Sequence, residues 1–106
     1  MKLKEYSVYI LRCNDNSLYT GIALDVAKRF EQHKNREGAK YTKVKSKHPL
    51  LLDSIFFVGT RAEACKVEAF FKKFTKKQKE YYLLNKEIFI QNIQDNLNIK
   101  IRESES

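Results

Sequence analysis

The sequence predicts a mixed α/β (α+β) protein, because strand-like and helix-like patterns succeed one another along its 106 residues. Residues 6–22 hold two β-branched and aromatic segments around a turn-forming stretch, which is the pattern of a β-hairpin. Two later segments begin with the Thr-x-x-Glu or Thr-x-x-Gln spacing of a helix capping box. The length and the 42% hydrophobic content indicate one domain, predicted over residues 1–98. A C-terminal tail over 99–106 is predicted to follow, and its polar end is expected to fray from Arg102.

The predicted hairpin joins a strand over Tyr6–Cys13 to a strand over Ser17–Ile22. If the loop between them has three residues, Tyr9 lies opposite Gly21, and Tyr9 and Tyr19 share one face of the sheet. A loop of two residues would send the two phenols to opposite faces. The residues alone leave both registers open.

A helix is predicted next, from Val26 to about residue 35, with Asp25 as its N-cap. Its apolar side chains, Ala27 among them, are expected to face inward. Arg29 and His33 are one helical turn apart, so a guanidinium and an imidazole are expected to lie on a common face.

The second half of the chain predicts one further strand and several helices. Residues 36–48 have little apolar periodicity and are typical of a surface loop. Residues 50–59 are apolar on both alternations apart from Asp53 and Ser54, as in a strand covered on both faces. The capping boxes predict helices over residues 60–74 and 75–84, and residues 89–97 carry another helical pattern.

Positive charge is concentrated in one part of the chain, which has a net charge of +8. Residues 28–47 contain eight basic and only two acidic side chains, and such a surface favours the binding of nucleic acid phosphates. The residues assigned to this contact are Lys28, Lys34, Arg36, Lys40, Tyr41, Lys43, Lys45 and Lys47. A second group of five lysines, between residues 72 and 79, has the alternative explanation of a solvated face that confers solubility.

Several classes of protein are not indicated. The longest apolar stretch, Pro49 to Val58, is far shorter than the ~20 residues of a membrane span, and the N-terminal residues lack the apolar core of a signal peptide. Cys13 and Cys65 are far apart and predict two buried, reduced thiols rather than a disulfide framework or a zinc site. We therefore expect a cytoplasmic protein with no membrane partner.

Five side chains from three different elements combine the groups that phosphodiester hydrolysis requires: Tyr9, Tyr19, Arg29, His33 and Glu68. A carboxylate can hold Mg²⁺ or Mn²⁺, such an ion can polarise a phosphate and activate water, and an arginine can stabilise developing negative charge. Taken singly, each residue also has a structural explanation. Tyrosines favour strands, and charged residues cover helix surfaces.

Several motifs together resemble the GIY-YIG nuclease superfamily, in particular its small single-domain bacterial members of the UPF0213 type. The matching segments are Ser7-Val8-Tyr9 with Tyr19-Thr20-Gly21, then Asp25 to His33, Gly38 to Thr42, Val67-Glu68 and Phe74 to Glu80. Ser7-Val8 stands where the family name has Gly-Ile, which removes no reactive group. The resemblance covers residues 6–84.

The resemblance implies a small three-stranded antiparallel sheet flanked by helices, with a metal-dependent site on one sheet face. It favours the register that brings Tyr9 and Tyr19 together. By position, these two match the motif tyrosines, Arg29 matches the helix arginine, and Glu68 matches the metal-binding glutamate. His33 matches a frequent histidine of less settled role.

These observations predict an endonuclease that hydrolyses DNA phosphodiester bonds with Mg²⁺ or Mn²⁺ as cofactor. The alternative is a non-catalytic nucleic-acid-binding module that keeps the fold and the basic surface, and a third candidate is a protein-interaction domain. Whether DNA or RNA is bound, and which tyrosine is the general base, stay open. Substrate choice is expected to come from this domain or from a protein partner.

Overall fold

The computed structural model describes residues 4–35 and 49–104, and within them an antiparallel sheet is flanked by helices on both faces. The elements in chain order are β1 (Tyr6–Cys13), β2 (Leu18–Ala23), α1 (Val26–Lys34), β3 (Pro49–Gly59), α2 (Arg61–Lys72), α3 (Lys76–Leu84), α4 (Lys86–Leu97) and β4 (Arg102–Glu103). The strand order is β2-β1-β3-β4, so β1 is an inner strand and β2 is an edge strand. No helix among the described residues has the length and apolar character needed to cross a membrane. The predicted fold class is confirmed.

The β1–β2 hairpin has the three-residue loop. Tyr9 pairs with Gly21 and Leu11 pairs with Tyr19, which places both tyrosines on the same face. The Cys13 N–H donates to the Ser17 carbonyl at 2.9 Å and closes the loop. Asn16 adopts a left-handed φ of 65°, a conformation that asparagine tolerates better than most residues. The open question of register is therefore decided in favour of paired phenols.

The sheet separates two apolar clusters. On one face, Val8 and Ile10 pack with residues of α2, α3 and α4, while on the other face Tyr9 and Leu11 pack under α1. Helix α1 meets the sheet through residues 26, 30 and 33, which are spaced four and three apart and form one stripe. Ala27 lies beside that stripe and is exposed, so the prediction that it faces inward was wrong.

The C-terminal segment is more ordered than its polarity predicts. Ile99 and Ile101 are buried, and Arg102–Glu103 pairs with β3 as a fourth strand. Asn98 has a left-handed φ of 55° at the end of α4, where it turns the chain back towards the sheet. The expectation that the tail frays at Arg102 was wrong, because the two isoleucines anchor the segment and a two-residue strand has no periodicity to detect.

The helix boundaries follow the predicted caps. Thr60 and Glu63 form a reciprocal capping box at the start of α2, and Thr75 and Gln78 form another at the start of α3. Helix α2 ends at Lys72, two residues earlier than predicted. Cys13 and Cys65 form no disulfide bond with each other, but only Cys13 is buried, so the prediction of two buried thiols was half right.

An ion-pair cluster ties the hairpin to β3 and α3, and sequence analysis missed it. Arg12 donates to both carboxylate oxygens of Glu80 at 2.8 and 2.6 Å, and its Nε and Nη2 each lie 3.2 Å from Asp53 Oδ2. The hydrogen bonds from Arg12 lower the pKa of Glu80 to about 2, assisted by Lys76. Asp53 and Glu80 lie 41 and 68 residues from Arg12 along the chain, so no local sequence pattern predicts these contacts.

Glu80→Gln should reduce the stability of the protein in a pH-dependent way. The pKa of Glu80 falls from 4.5 to about 2 on folding, so its ionisation stabilises the fold above pH 4.5. That contribution is lost as pH falls from 4.5 towards 2. We expect a loss of about 1–2 kcal/mol at pH 7, allowing for solvent screening, and a negligible loss near pH 2. Urea unfolding from pH 7 to pH 2 measures it, with Glu31→Gln as an exposed control. A pH-independent difference would contradict the assignment.

Candidate active site

Three aromatic side chains meet between the hairpin and α1. Tyr9 Oη lies 2.9 Å from His33 Nε2, and the hydrogen bond is buried. The Tyr19 ring centroid is 6.3 Å from that of Tyr9 and 5.0 Å from that of His33. The hairpin register positions the two phenols, and the last turn of α1 positions the imidazole. This arrangement couples a phenolic hydroxyl to a ring nitrogen that can accept its proton.

Gly21 makes room for the Tyr9 ring. A Cβ added at Gly21 would lie 2.5 Å from Tyr9 Oη and 2.6 Å from Tyr9 Cζ, distances that no real side chain adopts. The phenol therefore lies directly over the backbone of β2. Glycine at this position is explained by close approach rather than by backbone conformation.

Burial keeps the Tyr9–His33 pair uncharged. Tyr9 is 1% exposed and His33 is fully buried. Burial, followed by the neighbouring Tyr19, raises the pKa of Tyr9 to about 12, although a hydrogen bond from Arg29 and its charge oppose the shift. Burial, followed by the charge of Arg29, lowers the pKa of His33 to about 4. At neutral pH the phenol is protonated and the imidazole is neutral, so His33 Nε2 accepts from Tyr9 in the tautomer that carries its proton on Nδ1.

Charged groups border these aromatic rings from two helices. From α1, Arg29 donates to Gln32 Oε1 at 3.0 Å, and its charge acts on the pKa values of Tyr9, Tyr19 and His33. From α2, the charge of Glu68 contributes to raising the pKa values of both tyrosines, although burial is the main cause.

All five candidate catalytic residues of the sequence analysis therefore gather at one place, while their roles stay predictions. Sequence analysis missed two supporting residues. Gln32 holds Arg29, and Lys72 pairs with Glu68 at 3.7 Å. Their i,i+3 and i,i+4 spacings were visible in the sequence.

The donor set fits a hard divalent cation held by few protein ligands. Glu68 is a carboxylate whose side chain is 22% exposed, so it is accessible from solvent. Within residues 4–35 and 49–104, no three His, Cys, Asp or Glu side chains cluster as a closed metal site. Mg²⁺ commonly binds one or two carboxylates and completes its shell with waters and substrate phosphates. Glu68 is compatible with that mode. The described residues do not offer the closed set of ligands that a structural zinc site requires.

The predicted nucleic-acid contacts are described only in part. Lys28 and Lys34 are exposed on α1, and Lys34 lies 3.7 Å from Glu31. The other residues of that set, Arg36, Lys40, Tyr41, Lys43, Lys45 and Lys47, lie outside the described residues. Their assignment stays a prediction.

Comparison with known proteins gives a consistent picture. Residues 5–87 match the family described as the GIY-YIG catalytic domain. A UPF0213 protein of Fusobacterium nucleatum is 41% identical over 98 residues, which cover 92% of this chain and 96% of that protein. The UPF0213 protein YazA of Bacillus subtilis is 40% identical over 86 residues, which cover 81% of this chain and 85% of that protein. A UPF0213 protein of Cronobacter sakazakii is 44% identical over 78 residues, which cover 74% of this chain and 80% of that protein. No solved structure matches the chain significantly.

Gly21→Ala should displace Tyr9 and destabilise the protein. The added methyl group would occupy the space of the buried Tyr9 ring, and overpacking of this kind typically costs about 1–3 kcal/mol. Chemical denaturation measures the loss, and near-ultraviolet circular dichroism reports the changed packing of the tyrosines. Ala23→Gly, on the same face of β2, serves as a control for backbone effects. Wild-type stability and spectrum in Gly21→Ala would show that the ring does not lie over Gly21.

The neutral state of His33 should make stability fall in mild acid. Because the pKa of His33 drops from 6.5 to about 4 on folding, the unfolded chain binds an extra proton between these values. Stability is therefore lost as pH falls from 6.5 towards 4, by roughly 1.4 kcal/mol per pH unit at most. His33→Gln has no imidazole to protonate and lacks this pH-dependent loss. The stability advantage of the wild type over this variant should therefore shrink by roughly 2–3 kcal/mol between pH 7 and pH 4. A constant difference would mean that His33 is not held neutral.

Proposed function

The chain belongs to the GIY-YIG catalytic-domain family, a family of nucleases, and on this premise we propose that it is a metal-dependent endonuclease that cleaves DNA. The observation that carries the proposal is the buried 2.9 Å hydrogen bond between Tyr9 Oη and His33 Nε2, with Arg29 and Glu68 beside it. Phosphodiester hydrolysis needs a proton acceptor, a cation near the phosphate oxygens and a carboxylate for a metal ion. These side chains supply all three.

The pair formed by Tyr9 and His33 offers a route for the proton of the attacking water. A free phenolate is scarce at neutral pH, because the pKa of Tyr9 is about 12. Instead, Tyr9 Oη accepts the water proton as it passes its own proton to His33 Nε2. One O–H bond of water breaks, the Tyr9 O–H bond is renewed, and His33 becomes an imidazolium. The water oxygen forms a new bond to phosphorus while the bond between phosphorus and the leaving sugar oxygen breaks, and that oxygen takes up a proton from solvent. Negative charge gathering on the phosphate raises the proton affinity of His33 during this transfer.

Arg29 and Tyr19 complete the side chains that face the phosphate. The guanidinium of Arg29 stabilises charge on the non-bridging oxygens, and its bond to Gln32 limits its rotamers. Tyr19 orients the water or a phosphate oxygen, since its ring lies 5.0 Å from that of His33. The same distance makes Tyr19 the second candidate for the proton acceptor.

Glu68 is the residue that would hold Mg²⁺ or Mn²⁺. When bound, such an ion supplies Lewis-acid polarisation of the phosphate. Lys72 forms an ion pair with Glu68 at 3.7 Å and limits the motion of its carboxylate. The net charge of +8 draws the polyanionic substrate towards the protein.

Glu68→Gln tests the proposal most directly, because it keeps the shape of the side chain and removes its charge. We expect cleavage of single-stranded, duplex, nicked or branched DNA by the wild type with Mg²⁺ or Mn²⁺, and none with chelator. Glu68→Gln should lose at least ~10²-fold in turnover while binding DNA in chelator as well as the wild type does. The matched control is Glu87→Gln, an exposed glutamate on α4.

Two results would overturn the proposal in different ways. Full metal-dependent cleavage by Glu68→Gln would remove Glu68 from the mechanism. Wild-type protein that binds these DNAs but cleaves none of them with either metal ion would establish the non-catalytic nucleic-acid-binding module instead.

A further inference from the structure

A pocket borders β2, the edge strand that carries Tyr19 of the candidate active site. It has a volume of about 430 Å³ and is lined by Leu18, Tyr19, Thr20, Lys72 and Lys79. The pocket lies along β2, an edge strand of the sheet that the described residues form. Tyr19 belongs to both places, since its ring also packs against Tyr9 and His33. Lys72, which lines the pocket and also pairs with Glu68 at 3.7 Å, connects it to the candidate active site around the edge of β2.

Two lysines from different helices line the pocket. Lys72 comes from the end of α2 and Lys79 from α3. Lys72 forms an ion pair with Glu68 at 3.7 Å. Lys79 forms no ion pair with any carboxylate in residues 4–35 and 49–104. Burial, followed by the charges of Lys72 and Lys76, lowers the pKa of Lys79. The positive charge here is poorly compensated, which favours an anionic ligand.

Packing directs Lys79 towards the pocket. Its Nζ lies 5.8 Å from the centroid of the Phe71 ring, and the side chain is partly buried. Its neighbour Lys77 is exposed and does not line the pocket. An ammonium group used only for solubility would extend into solvent as Lys77 does. Lys79 is instead held at a concave surface beside Tyr19.

We propose that this pocket binds a backbone phosphate of the nucleic acid strand next to the phosphate that is cleaved. The inference rests on the proposed nuclease function and deepens it. Lys72 and Lys79 contact the phosphate oxygens, and Leu18 and Tyr19 offer apolar surface to the adjoining sugar or base. The edge of β2 therefore determines the direction in which the strand leaves the active site.

Lys79→Met tests the pocket, because it keeps an unbranched apolar side chain against Phe71 and removes only the charge. Binding of a labelled 20-nucleotide single strand is measured by fluorescence anisotropy in chelator, so that no cleavage is required. We expect binding to weaken about tenfold at 0.1 M salt, as for the loss of one charged hydrogen bond. The slope of log K against log salt should become about 0.7 less steep.

Lys77→Met is the matched control, since it removes one exposed charge from the same helix and should have a clearly smaller effect on both quantities. Lys79→Arg keeps the positive charge and should retain most of the wild-type affinity. Thermal melting of each variant checks that it is folded. Equal binding by Lys79→Met and Lys77→Met would overturn the pocket and leave the nuclease proposal standing.

The two proposals fail in distinguishable ways. If the Lys79 effect is found but no DNA is cleaved with metal present, the pocket remains a phosphate-binding site of a non-catalytic nucleic-acid-binding module, and the nuclease function falls. If the wild type binds no nucleic acid, both fall together.

Discussion

The buried hydrogen bond between Tyr9 and His33 is the interaction on which the candidate site depends. It joins the inner strand β1 to α1, and it forms only if the hairpin register turns Tyr9 towards that helix. It also needs Gly21, because any Cβ there would occupy the space of the phenol. Both groups are withdrawn from water, so their hydrogen bond is the compensation for their burial. One contact therefore links the register of the hairpin, the identity of Gly21 and the docking of α1.

The charged groups divide into two sets with different consequences. Around Arg12, the carboxylates of Asp53 and Glu80 satisfy the guanidinium almost completely, so this cluster joins three elements and has little capacity left for a ligand. Around the aromatic site the charges are less well matched. Arg29 is bound to an amide rather than a carboxylate, and Lys79 has no ion pair with a described carboxylate. Incomplete compensation is expected where an anionic substrate supplies the missing charge.

Helices α2 and α3 provide the groups that meet at the β2 edge. Their reciprocal capping boxes set where each helix begins, and so set which side chains reach the sheet. Val67 and Phe71 enter the core, which leaves Glu68 and Lys72 beside the apolar stripe and next to the hairpin. Lys79 approaches the same edge from α3. The helices thus stabilise the core and, with their flanking residues, border the candidate active site.

The sequence by itself determined the local features, because each depends on residues close together along the chain. These include the two strands of the hairpin, the Asp25 cap, both capping boxes and the common face of Arg29 and His33. The order of motifs also identified the family, which the comparisons confirmed. The tertiary structure decided the hairpin register, the complete burial of His33, the Arg12 cluster and the pairing of Arg102–Glu103 with β3. Those features arise from contacts between distant segments, whose free energy depends on how all the elements dock together, and local periodicity does not encode that docking.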